Sequence, residues 1–164
     1  MSTARAARRQ STKVGLGVIE ASKDPSDVLA ALGLGSCIGL VLLEPGKVAG
    51  MAHVMLPDST AISSPGPPGK YADTTVPALL DEVERLGARR ERLVVKMAGG
   101  AQMFAAGSGG GQLNIGARNA VAVRAALTAA GLRLRAAEPG RTLEVEIGTG
   151  MVAVRSVGSD RAEL

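Results

Sequence analysis

The sequence predicts a single α/β domain of the α+β kind, and three observations carry that prediction. Strand-like apolar runs outnumber helical ones. The two clear helical periodicities are separated by strands. The 164 residues match one ordinary domain, and an apolar share of 46% is ample for its core. Aromatic side chains reduce to Tyr71 and Phe104, so that core must be aliphatic. Phe104 and the methionines Met51, Met55 and Met97 read as core filler.

Taken in order, residues 1–12 read as a disordered basic arm, 13–157 as the domain and 158–164 as a polar tail. The alternation Val14-Gly15-Leu16-Gly17-Val18-Ile19 predicts a first strand, and the polar run Ser22 to Asp27 with Pro25 predicts a turn. Val28 to Leu34 is an uncharged apolar run leading into Gly35-Ser36-Cys37. Ile38 to Leu43, the turn Glu44-Pro45-Gly46-Lys47, and Val48 to Met55 form a hairpin signal. Ser63 to Lys70 holds three prolines and reads as a loop placed to cover a site.

Val76, Leu79, Leu80, Val83 and Leu86 recur at helical spacing, with Asp73 or Thr75 as the expected cap and Gly87 as the stop. Leu93 to Met97 reads as a strand, and Ala98 to Phe104 as a bend. Gly107 to Gly111 lacks the lysine and hydroxyl of a phosphate loop and reads as a linker. A second helix is expected over 117–130, with Val121, Ala125 and Leu127 or Thr128 facing inward. Leu132 to Ala137, Leu143 to Ile147 and Met151 to Val154 read as the last strands.

Charge and composition exclude several function classes. Four of the 19 basic residues (Arg5, Arg8, Arg9 and Lys13) precede the first acid, which leaves 15 against 15 acids in the rest. The positive balance therefore reports a tail, and with no aromatic stacking platform a nucleic-acid interface is poorly supported. No apolar run is long enough for a membrane span, and the first nine residues lack the apolar stretch of a secretory signal. A single cysteine cannot close an intramolecular disulfide, which fits a reducing cytoplasm.

That cysteine, Cys37, and the only histidine, His53, are the candidate chemistry. A thiol becomes a strong nucleophile as a thiolate, and an imidazole is its usual base. The hairpin folds His53 back toward Cys37. Glycines before the thiol leave backbone N–H groups free to face a substrate, so Gly35, Ser36 and Cys37 are the expected oxyanion donors. Against this stands the common case of a lone cysteine that is only a small buried hydrophobe.

The segments Leu32-Gly33-Leu34-Gly35-Ser36-Cys37, Gly50-Met51-Ala52-His53-Val54-Met55-Leu56-Pro57 and Lys70-Tyr71-Ala72-Asp73-Thr74 resemble the CheD family of chemoreceptor glutamine deamidases. Leu86-Gly87-Ala88, the run from Lys96 to Phe104 and Ile115-Gly116-Ala117-Arg118-Asn119 continue the match in family order. The resemblance implies an α/β sandwich of strands with flanking helices, related to the deamidating toxins, and a catalytic pair of Cys37 and His53. It implies chemoreceptor glutamines as substrate, a CheC-type phosphatase as partner, and no metal or organic cofactor.

One position departs from the family. A threonine that often stands six residues before the cysteine, and orients the histidine, is Ala31 here. A backbone carbonyl or another hydroxyl, Ser36 being one candidate, must then orient His53. Otherwise the chain is a weak or inactive member that binds receptors or the phosphatase without turnover. Tyr71, Gln102 and Asn114 are candidates for substrate contact, against the plainer readings of loop anchor and turn-satisfying polar residues.

Overall fold

The computed structural model describes residues 10–60, 63, 66–100, 114–156, 158 and 160–164. The described residues form two helices and two five-stranded sheets, a mixed α/β architecture. In chain order the strands are β1 (Gln10–Lys13), β2 (Ile19–Ser22), β3 (Asp27–Leu32), β4 (Ile38–Glu44) and β5 (Val48–Val54). Helix α1 (Ala72–Arg85), β6 (Val94–Gly99) and helix α2 (Ile115–Ala129) follow. The chain ends in β7 (Leu134–Glu138), β8 (Thr142–Glu146), β9 (Val152–Arg155) and β10 (Ala162–Glu163).

One sheet has the order β2-β5-β4-β6-β7 and the other β1-β3-β8-β9-β10. The first is the middle layer. Every residue of β4 and β5 is buried, which is why both strands read as near-continuous apolar runs rather than alternating ones. Alternation still sorts their side chains. Ile38, Leu40, Leu42, Val48, Ala52 and Val54 pack with Val76, Leu79, Val83, Val123 and Leu127 of the helices. Val41, Leu43, Ala49 and Met51 pack with Leu29, Ala31, Leu143 and Val145 of the outer sheet.

The helix side is fitted tightly at Gly50, where a Cβ would stand 2.6 Å from Val83 and 2.8 Å from Leu79. Gly50→Val should therefore destabilise the fold by about 1–3 kcal/mol through overpacking, read as a lower urea midpoint with an unchanged slope.

Several sequence expectations are corrected. The first strand is not 14–19: β1 and β2 flank a loop over 14–18, and β1 pairs in parallel with β3 inside the span expected to be disordered. Residues 1–9 of that arm lie outside the described residues. Val28 to Leu34, left unassigned by pattern, supplies most of β3. The tail joins the outer sheet, with Ala162 opposite Val154, Leu164 against the inter-sheet core and the Lys96 ammonium donating to the Leu164 carbonyl.

In α1 neither Asp73 nor Thr75 caps the start. Tyr71 is the N-cap residue without a side-chain bond, Thr75 donates back to the Tyr71 carbonyl, and Asp73 instead accepts from the backbone and hydroxyl of Ser59. In α2 the inward residues are Gly116, Asn119, Val123 and Leu127, whereas Val121 is exposed. Of the expected inward set Leu127 is buried, while Val121 and Ala125 are exposed, because alanines on all sides of α2 flatten its periodicity and the buried polar Asn119 shifts its phase.

Candidate active site

Cys37 and His53 come together through the β4–β5 pairing. His53 stands directly opposite Gly39, so Cys37, two residues before Gly39, is the diagonal neighbour on the same side of the sheet. That side faces the outer sheet. His53 is buried and Cys37 is half-buried at the edge of the inter-sheet core.

His53 is gripped by the loop over 14–18. Its Nδ1 lies 3.1 Å from the Val14 carbonyl. A carbonyl can only accept, so the proton sits on Nδ1 and the lone pair on Nε2. Nε2 is buried and has no hydrogen-bond partner. Two further bonds fix the His53 backbone: Gly17 N–H donates to its carbonyl at 2.9 Å, and its own N–H donates to the Val18 carbonyl at 3.2 Å. The loop is seated in turn by Val14 N–H on the Ala30 carbonyl at 2.7 Å. It also presses closely on Gly69, where a Cβ would lie 2.4 Å from the Gly17 oxygen.

Ala31 lies buried between the sheets, in β3 opposite Leu143, and offers only a methyl group. The group that meets the Nδ1 proton is thus the Val14 carbonyl, a backbone atom of the neighbouring chain segment.

The thiol sits on a tight turn. Gly35 has φ +47°, and the Cys37 amide donates to the Leu34 carbonyl at 2.6 Å. That bond removes the Cys37 N–H from the expected oxyanion donors, which leaves Gly35 and Ser36. The Cys37 carbonyl accepts from Gly100 N–H at 2.9 Å. Gly99, at φ +102°, approaches so closely that a Cβ there would stand 2.2 Å from the Cys37 oxygen.

Burial pushes the Cys37 thiol above its ordinary pKa. Because Nε2 is unpartnered, the sulfur does not bond to it in this state. Cys37 and His53 thus stand as neighbours on one side of the sheet without a hydrogen bond between them.

Asn119 was not singled out as a site residue by sequence, and it ties the two halves of the site together. It is fully buried, and its Nδ2 donates to the Ser36 and Met55 carbonyls, each at 2.9 Å. Those two residues directly precede Cys37 and follow Val54, so one side-chain amide spans the ends of both site-bearing strands. Asn119→Ala should lower kcat by about tenfold or more by loosening that geometry while thermal stability falls by about 1–3 kcal/mol for the orphaned carbonyls. Asn119→Asp, which cannot donate from a carboxylate, should resemble Asn119→Ala above the acid's pKa, as a steady-state kinetic comparison will read.

The remaining candidates separate. Tyr71 is buried, and its backbone and neighbours brace the chain leaving His53: Met55 and Leu56 donate to the Lys70 carbonyl, and Ala72 donates to that of Leu56. The Tyr71 ring itself is 1% exposed. Asn114 is exposed at the start of α2 beside a groove of about 410 Å³ lined also by Pro57, Asp58 and Arg118. Gln102 and Phe104 lie outside the described residues. Among the described residues no helix is long and apolar enough to cross a membrane.

Comparison with known proteins identifies the family of the chain. The family model described as CheD chemotactic sensory transduction matches residues 55–156. A probable chemoreceptor glutamine deamidase CheD of Symbiobacterium thermophilum is 46% identical over 162 residues, covering 95% of this chain and 98% of the relative. The chemoreceptor glutamine deamidase CheD of Thermotoga maritima is 45% identical over 150 residues, 88% of this chain and 91% of the relative. A probable deamidase of the same name from Desulforamulus reducens is 43% identical over 152 residues, 90% and 91% of the two chains. With the relatives matched along nearly their full length, the chain belongs to the CheD family.

Proposed function

We propose that this protein deamidates chemoreceptor glutamines to glutamates in the cytoplasm, with Cys37 as nucleophile and His53 as general base and acid, as part of chemotactic adaptation. The observation that carries the reading is the state of His53. It is buried, its Nδ1 proton is committed to the Val14 carbonyl, and its Nε2 lone pair is unused on the same sheet side as the thiol.

The chemistry follows from that state. As the glutamine carboxamide arrives, Nε2 takes the Cys37 proton and the sulfur attacks the amide carbon. The Gly35 and Ser36 N–H groups face the oxygen that gains charge. Collapse of the tetrahedral adduct breaks the C–N bond, and Nε2 returns the proton so that ammonia leaves and a thioester remains. His53 then takes a proton from water, which attacks the thioester, giving glutamate and the free thiol. No step requires a metal or organic cofactor. The Val14 carbonyl holds the imidazole in the required tautomer throughout, which is the duty that Ala31 cannot perform.

A thiol raised by burial should be unreactive before substrate binds. With the thiol pKa raised, the thiolate fraction at neutral pH is reduced and grows as pH rises toward that pKa. Iodoacetamide should therefore modify Cys37 more slowly than free cysteine at pH 7, with the rate climbing steadily into the alkaline range.

The second reading is a binding module for a receptor or a CheC-type phosphatase that does not turn over. The missing Cys37–His53 hydrogen bond and the raised thiol favour it. Ammonia release from a receptor cytoplasmic fragment decides between the two. Release by the wild type and none by Cys37→Ala supports the deamidase. A silent wild type that still binds the fragment supports the module.

A further inference from the structure

Large apolar side chains are rarely left in water without a use when they cluster. Among the described residues four are exposed: Leu16 at 60%, Val18 at 37%, Leu32 at 45% and Val121 at 67%. Three of them belong to the segments that build the active site. Leu16 and Val18 lie in the loop whose Val14, Gly17 and Val18 backbone atoms hold His53. Leu32 ends β3, two residues before the Leu34 carbonyl that anchors the Cys37 amide.

Strand register brings these segments to one place. β1 and β3 run in parallel with Lys13 opposite Ala30, and Val14 N–H continues the ladder onto the Ala30 carbonyl. Leu16 and Leu32 therefore leave the same end of the same two strands, three and two residues past that pair. It is the end at which Cys37 and His53 sit. Gly15, Gly17, Gly33 and Gly35 separate these side chains and keep the backbone low between them. Val121 lies apart, on α2 in the helical layer.

We infer that Leu16, Val18 and Leu32 form the apolar rim that docks the substrate protein, receiving apolar side chains that flank the target glutamine. The inference rests on the deamidase reading and deepens it. The rim residues stand on the segments whose backbone holds His53 and Cys37, so a protein that presents a glutamine to Cys37 meets them. A free amide or a glutamine in a polar peptide would leave it in water. The rim thereby discriminates by neighbourhood, and the Cys37–His53 pair remains indifferent to what surrounds the amide.

The test uses the full chain with Leu16→Asp and Leu32→Asp combined, and Lys23→Asp as a surface control at the opposite end of β2. In a Cys37→Ala background, the Kd for a purified chemoreceptor cytoplasmic fragment should rise about tenfold or more in the rim variant and stay within about twofold in the control. In the Cys37 protein, KM for the fragment should rise likewise, and kcat/KM should fall at least about tenfold more on the fragment than on acetyl-Gly-Gln-Gly-amide. An unchanged Kd overturns the inference, as does equal loss on fragment and peptide. A wild type that binds the fragment but converts no glutamine fails the deamidase reading alone, since the binding arm still decides the rim.

Discussion

His53→Ala should lower kcat/KM for receptor glutamine by about a hundredfold to ten-thousandfold, the range that a positioned general base supplies. The loss should be larger than for an enzyme with a preformed thiolate, because here the thiol stays protonated until Nε2 takes its proton. His53→Asn makes the comparison sharper. Its amide nitrogen, bonded to Cγ as Nδ1 is, can still donate to the Val14 carbonyl and keep the loop seated, yet it offers no base near neutral pH. Both variants should be equally inactive, and the Asn variant should melt closer to the wild type. Kinetics on a receptor fragment beside calorimetry will read both quantities.

The second large effect is expected far from any titrating group. Gly99→Ala should reduce kcat by about a hundredfold, the cost of displacing a reacting group by a fraction of an ångström to an ångström. The added Cβ would stand 2.2 Å from the Cys37 oxygen, a backbone atom that no side-chain rotation can move aside. The φ of +102° adds about 1–3 kcal/mol of strain for any residue but glycine.

Gly46→Ala separates the two causes. Gly46 has φ +75° in the β4–β5 turn, at the far end of the strands, and a Cβ there meets nothing. It should cost about 1 kcal/mol of stability and leave turnover intact. A Gly99→Ala enzyme with wild-type kcat would show that the Cys37 turn is not held by that contact.

What the sequence made legible follows from local physics. The hairpin over 38–54 was readable because its turn residues and its two apolar runs agree, and that hairpin alone brings His53 toward Cys37. Helix α1 was readable because its charged face and apolar face separate cleanly. Helix α2 was phased correctly only at Leu127, since alanine is neutral between core and surface and Asn119 is buried against its type.

The parts that were missed are interactions between distant segments. Nothing in the run Val14 to Val18 says that its carbonyls and amides serve a histidine nearly forty positions later. Ala31 signalled that an orienting group was missing, and a backbone carbonyl was one of the alternatives it left open. The choice among them needed the parallel pairing of β1 with β3, which no periodicity encodes. Likewise Asn119 stood inside a family-like motif, but its two bonds to the Ser36 and Met55 carbonyls exist only once α2 lies across the sheet. The resemblance thus pointed to Cys37 and His53 as the candidate pair, and the three-dimensional structure supplied the atoms that hold them in place.

On the proposed function, Cys37, with a histidine oriented by a backbone carbonyl, turns glutamine into glutamate without the family's threonine. Peptide mapping by mass spectrometry of a receptor cytoplasmic fragment, incubated with wild type or Cys37→Ser, tests it most directly. The account predicts a gain of about one dalton at defined glutamines with the wild type, from replacement of an amide nitrogen by oxygen, and none with Cys37→Ser. Fragments left unmodified by a folded wild type, or modified equally by Cys37→Ser, would contradict it.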